Sequence, residues 1–216
     1  MRESGKTRII ASVWGSSRST KQPGRNAHET MKKKPGTRRA REPVDLGMAL
    51  MVAWKTSTRV TEYLLDHLDA TLWRAEPPGD KGRTIASIFA HLHNVRLMLL
   101  VQARARGVPP KLDRHRATAV QARAALSESA DPIAAVLESA AGSGGRVRNS
   151  PPDAVAFFSA AVTREAHHRG QIAMLARQLG HPLSPEAMLG MSESAKRRKE
   201  ALGGKAAPAR RISRRP

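Results

Sequence analysis

The chain of 216 residues has no Cys, only 3% aromatic residues and a formal net charge of +20 at pH 7. Without thiols there can be no disulfide, thiolate metal site or Cys nucleophile, so any metal must be held by the eight His and by carboxylates. Few aromatics beside abundant Ala and Leu favour close-packed helices over sheet, and the chain shows neither an uninterrupted apolar membrane span nor a secretory h-region, which sets the expectation of a cytoplasmic protein with no membrane partner.

The charge is unevenly placed. Residues 1–44 carry 12 Lys/Arg against three acids and residues 195–216 carry nine against one, whereas the stretch between holds 17 against 14. The expected organisation is a nearly neutral domain over 44–190 with disordered basic tails at 1–43 and 191–216. Segments such as MKKKPGTRRAREP and AKRRKEALGGKAAPARRISRRP lack helical periodicity, which is the reason for expecting disorder. Such tails would bind polyanions weakly, without sequence preference and in a salt-dependent way, because they lack interleaved aromatics for stacking on bases.

Between the tails, periodicity predicts an all-α domain of four helices. The first runs from about Val44 to Trp73, with Leu50, Trp54, Thr61, Leu64, Leu65, Leu68 and Leu72 on one face. PPGDKGR ends it. Thr84 is the expected N-cap of a second helix reaching about Arg104, with Ile85, Ile88, Phe89, Leu92, Val95, Leu99 and Leu100 inward. The third spans about Thr118 to Ala141, where Pro132 predicts a kink or a boundary between two shorter helices. GSGGRVRNS is a loop. The fourth helix has Ser150 as predicted N-cap, Pro151 at the first helical position, Asp153 at the capping-box position and Gly180 and Pro182 beyond its end. Four amphipathic helices with these connections predict a four-helix bundle.

On the fourth helix, Ala154, Phe157, Phe158, Ala161, Ile172, Leu175 and Leu179 share one arc, with His168 in its middle, Arg164 at its edge and His167 roughly opposite. His168 is therefore predicted to point inward and His167 outward. In the second helix His91 and His93 flank the apolar face, and periodicity does not choose between them. A buried imidazole needs a hydrogen-bond partner or a metal, and two inward His fall short of the three protein ligands of a catalytic zinc. Gly170 predicts close approach of a neighbouring helix, and Arg169 and Gln171 predict polar-face or interhelical hydrogen bonds. There is no phosphate-binding glycine loop, GxSxG or HExxH, and the adjacent Asp66 and His67 point about 100° apart, which marks them as surface groups rather than an acid/base pair.

HHRGQI at 167–172, the LARQLGHP that follows, and TIASIFAHLHNVRLMLL in the second helix resemble the DinB-like (DinB/YfiT) helical-bundle proteins over roughly residues 45–190. The resemblance implies a four-helix bundle, often dimeric, with a divalent metal such as Zn or Ni held by three His. It further implies a metal-dependent hydrolase or thiol transferase acting on a small molecule or thiol. Carried over by position, the second-helix ligand matches His91, the later ligand of an HxxxH turn matches His168, and the earlier one falls on Arg164. A guanidinium has no acceptor and stays protonated, so Arg164 predicts a degenerate metal site in which it replaces the ion or, if turned outward, leaves a weak site with His91 and His168. Two other readings stand beside the enzyme: a non-catalytic bundle binding a small molecule or anion, and a nucleic-acid-associated protein acting through its tails.

Overall fold

The computed structural model describes residues 43–80, 82–148 and 153–203. They form six helices and no strand: α1 (Leu46–Asp66), α2 (Ile85–Gln102), α3 (Ala119–Gly142), α4 (Ala154–Gln178), α5 (Pro185–Ser192) and α6 (Ser194–Ala201). The expected all-α class holds, and α1–α4 make the expected four-helix bundle. Both α1 and α2 pack against α3 and α4, so α1 faces α2, and α3 faces α4, across the diagonals. α2 is long and apolar enough to cross a bilayer, but two thirds of it is buried inside the bundle, as befits a core helix.

Local chemistry sets the helix starts. Side chains of Asp45, Thr84, Asp153 and Ser184 each accept from the backbone N–H three residues on, and Thr118 with Gln121 completes a reciprocal capping box. The predicted cap of α4 needs correction: the helix begins at Ala154 with Asp153 as its N-cap, and Ser150 and Pro151 lie outside the described residues. The first helix also stops earlier than periodicity implied. It ends at Asp66, and Asp69 caps a separate 3-10 turn, Ala70–Leu72, that carries Leu72 into the core and Trp73 onto the carbonyl of Ala117. At Pro132, α3 runs on as one helix rather than splitting. The carbonyl that Pro132 cannot serve belongs to Glu128, an exposed residue.

Part of the stretch expected to be a C-terminal tail, from residue 191, is folded. Residues 194–201 are helical, and α6 docks on α1 through an arginine rather than an apolar stripe. Arg197 is buried with its guanidinium 3.9 Å from the centre of the Tyr63 ring and bonded to Glu200, which in turn accepts from Arg59 at 2.9 Å. The same ring sets the approach of α5, because a side chain at Gly190 would collide with the Tyr63 hydroxyl. A helix that is polar all round gives periodicity nothing to detect. The expected tails at 1–42 and 204–216 lie outside the described residues.

The core is divided in two. One apolar cluster gathers Leu50, Trp54, Leu100, Ile133, Leu137 and Phe157; the other gathers Leu64, Ile85, Phe89, Leu92, Leu126 and Ile172. Between them each bundle helix contributes a buried polar side chain: Thr61 from α1, Arg96 from α2, Ser129 from α3 and Glu165 from α4. This layer crosses the bundle at the level of the candidate site.

Candidate functional site

α2 and α4 bring His91 and His168 together. Their rings meet edge to face with centroids 5.0 Å apart, and His167 approaches His168 from the other side at 5.1 Å. His168 is 6% exposed, His91 is half-buried and His167 is exposed, so the helical arc placed both histidines of α4 correctly. Gln171, one turn on, accepts from Nδ1–H of His168 at 2.8 Å, which leaves the lone pair on Nε2. Both inward imidazoles are held below their ordinary pKa of 6.5. For His91 the causes are burial, then the Arg83 cation and His168; for His168 burial leads, with the repulsion of His167 and Arg83 added against the opposing pull of Gln171 and Glu165.

Arg164 does not fill the place of an ion. Its side chain is exposed and turned back along its own helix, donating to the carbonyl of Ala160 at 3.3 Å, so of the two placements open to it the outward one is found. His93 is not a spare ligand either. It is fully buried with Nε2 against the carbonyl of Pro110 (2.9 Å) and Nδ1 against the Ser129 hydroxyl (3.2 Å). A carbonyl can only accept, which puts the proton on Nε2 and commits both nitrogens to protein partners.

Periodicity had overlooked the carboxylate of the region, Glu165. It is 1% exposed and fully engaged: Oε1 accepts from Nε of Arg96 at 2.7 Å, Oε2 accepts from the Thr61 hydroxyl at 2.6 Å, and Arg169 stands at 3.8 Å. Arg96 also donates to the carbonyl of Leu126 (2.7 Å) and to Ser129 (3.3 Å) and lies against the Trp54 ring at 4.9 Å, while Trp54 donates to the carbonyl of Ala130. Arg169 reaches α1 through Thr61 and Ser57, as the interhelical bond expected of it, and burial weakens its hold on its proton despite the nearby Glu165. Both oxygens of the carboxylate are engaged and only Nη2 of Arg96 lacks a partner, which makes the layer a structural element. Among the described residues no three His, Asp or Glu converge as metal ligands.

Next to the histidine pair lies an open cleft of about 780 Å³ whose polar lining includes Arg83, His167, Gln171 and Gln178, and whose apolar lining includes Ile88 and Met174. His91 and His168 do not line it. Gln171 belongs to both places, and Arg83 lines the cleft while acting on both imidazoles. Gly170 opens onto this cleft with nothing within 4 Å of a Cβ built on it, so the helix packing predicted for it is absent. The close helix approach in the bundle occurs instead at Gly47, where a side chain would meet Ala141.

Residues 53–172, from within α1 to the last turns of α4, match the DinB superfamily. The chain belongs to that superfamily. The matched segment contains His91, Arg164 and His168, the positions that the resemblance alone assigns to metal ligands. No curated protein and no solved structure matches the chain significantly. For a divalent ion at the position the resemblance implies, the donor set falls short: two imidazoles with no third His, Asp or Glu grouped with them among the described residues, and the cation of Arg83 acting on both. The residues do not fit a three-ligand catalytic metal.

Proposed function

We propose that this DinB-superfamily bundle carries a degenerate metal site and works as a non-catalytic binding module for a small anion with an apolar body. The observation that carries this reading is the sign of the surroundings. Arg83 acts on both imidazoles and lines the cleft, position 164 offers a guanidinium turned outward in place of a ligand, and Glu165 is engaged by Arg96, Thr61 and Arg169. A dication there would meet uncompensated positive charge, whereas a carboxylate would meet Arg83 and the amide of Gln171, with Ile88 and Met174 against its apolar part.

The test pairs two measurements on the full chain. Metal content after zinc or nickel loading should stay far below one ion per chain in the wild type and rise in Arg164→His; near-stoichiometric metal in the wild type would refute the degenerate site. Thermal shift with benzoate or hexanoate should show stabilisation that Arg83→Ala removes. Indifference of the wild type to these carboxylates would end the anion reading.

One observation favours a second reading, a metal-dependent hydrolase or thiol transferase. Gln171 fixes the tautomer of His168 in the form that leaves Nε2 free to ligate, which is the role an outer partner plays at metal-binding His. The metal measurement separates the two readings, and a homodimer that supplied further ligands would show itself as metal-dependent association.

A further inference from the structure

A second cleft, of about 470 Å³, lies across the polar layer from the histidine pair, between the connection leaving α2 and the one leaving α3. Its apolar wall includes Ala103, Pro132, Val136 and Val147, and its rim carries Arg104, Arg106, Arg146 and Arg148. No carboxylate lines it, and none among the described residues pairs with Arg106, Arg146 or Arg148.

The sequence explains how four guanidiniums come to share one rim. In ARAR and RVR, small apolar residues alternate with Arg; Ala103 and Val147 are buried while the arginines beside them are exposed. Each buried residue ties its stretch of backbone to the core, and the amides of Ala103 and Ala105 bond back to Leu99 and Leu100. The arginines therefore rise from fixed edges, unlike those of a flexible tail. Arg104, the one non-glycine among the described residues with positive φ (50°), takes that conformation as the residue that closes α2: its amide bonds to Val101 and that of Ala105 to Leu100, which fixes the start of the rim to the helix end.

We propose that this cleft binds a small ligand carrying two or more phosphate groups on an apolar or planar body, of the nucleotide class. Arg106, Arg146 and Arg148 on one rim, with no carboxylate in its lining, suit a ligand with more than one phosphate, because each phosphate oxygen pair can take one guanidinium fork. The apolar wall and the face of Pro132 give a ring or aliphatic body somewhere to lie, and the volume falls within the range of small-molecule sites. The inference is independent of the Arg83 cleft, and the variants below leave that cleft intact.

The experiment is calorimetric titration of the full chain with ATP and with inorganic pyrophosphate at about 0.15 M salt, where diffuse attraction is screened. Arg106→Ala/Arg146→Ala is compared with Arg198→Ala/Lys199→Ala, which removes the same charge from exposed positions of α6. The rim pair should weaken ATP binding by about tenfold or more while the α6 pair changes it by less than about twofold, and ATP should bind tighter than pyrophosphate. Equal loss in both pairs would assign the binding to net charge and overturn the site. Equal affinity for pyrophosphate and ATP would overturn the role of the apolar wall. Binding of a single-stranded oligonucleotide with no binding of ATP would replace the small ligand with a nucleic acid.

Discussion

The buried polar layer and the histidine rim are neighbours on α4, one turn apart, and they handle charge in opposite ways. Around Glu165 the carboxylate is fully engaged: Arg96, Arg169 and Thr61 all meet it, and Arg96 donates further to Leu126 and Ser129, with only its Nη2 left without a partner. Around His168 the charge is less evenly met, since Arg83 and His167 add cationic or protonatable groups while the carboxylate nearest in the core, Glu165, is already engaged by Arg96, Thr61 and Arg169. Saturation marks a group that serves the fold. An excess of one sign at an open cleft marks a place that a ligand can complete, and the same distinction separates the arginine rim of the second cleft from Arg96, an arginine of identical chemistry.

The hardest way to break that comparison is to open the saturated side. Glu165→Ala leaves Arg96 buried without its counter-charge and should cost about 3–5 kcal/mol in urea unfolding. Replacing both partners, as Arg96→Met with Glu165→Leu, should recover a large part of that loss, because the penalty lies in the stranded charge more than in the lost attraction. A double variant as unstable as the single one would mean that the layer contributes attraction that apolar packing cannot replace. Arg197 offers a milder case of the same rule. Its removal takes away the contact with the Tyr63 ring but leaves Glu200 bonded to Arg59, so Arg197→Ala should cost about 1–2 kcal/mol and show first as faster amide exchange across α6.

Much of this was readable from spacing. Thr84 and Thr118 cap the helices that periodicity assigned to them, His168 points inward, and the family resemblance paired it with His91. The polar layer was also within reach of the sequence. Glu165 stands at the inner step between Ala161 and His168, and Arg96 at the inner step between Leu92 and Leu99, so charges of opposite sign occupy core positions on two helices. An inner face defined by its apolar members passes over both. Where Arg164 and Arg197 point could not be read, because a long flexible arginine at the edge of an arc is placed by partners distant in sequence. The helix at 194–201 was hidden for the same reason, its docking resting on Tyr63 some 130 residues earlier.

Acid sharpens the comparison from the rim side. The folded chain holds His91 and His168 below their ordinary pKa of 6.5, while the unfolded chain does not, so between the folded values and 6.5 the unfolded state binds more protons. The stability contributed by the neutral imidazoles is fully present above 6.5 and is lost as pH falls toward the folded values. His91→Gln with His168→Gln should flatten that slope in unfolding measured from pH 7 to 5. In the wild type, carboxylate binding at the Arg83 cleft should tighten over the same window, because each proton gained adds positive charge nearby. Binding that weakens on acidification, at a pH where the ligand stays ionised, would place the anion elsewhere.

The smallest effect belongs to Arg164, and its size matters because of the residue next to it. A helix turns 100° per residue, enough to carry position 164 to solvent and position 165 into the core. Arg164 is exposed and bonds only weakly to the carbonyl of its own preceding turn, so Arg164→Ala should change stability by less than about 0.5 kcal/mol. One residue on, the same truncation should cost several times more. Urea titrations of the two variants side by side test this directly. A large cost at Arg164 would mean that its guanidinium holds something in the bundle beyond Ala160, and the rim would then belong with the saturated layer rather than in contrast to it. A small cost would leave position 164 free of structural duty, which is the condition under which a metal ligand could be exchanged for an arginine without loss of the fold.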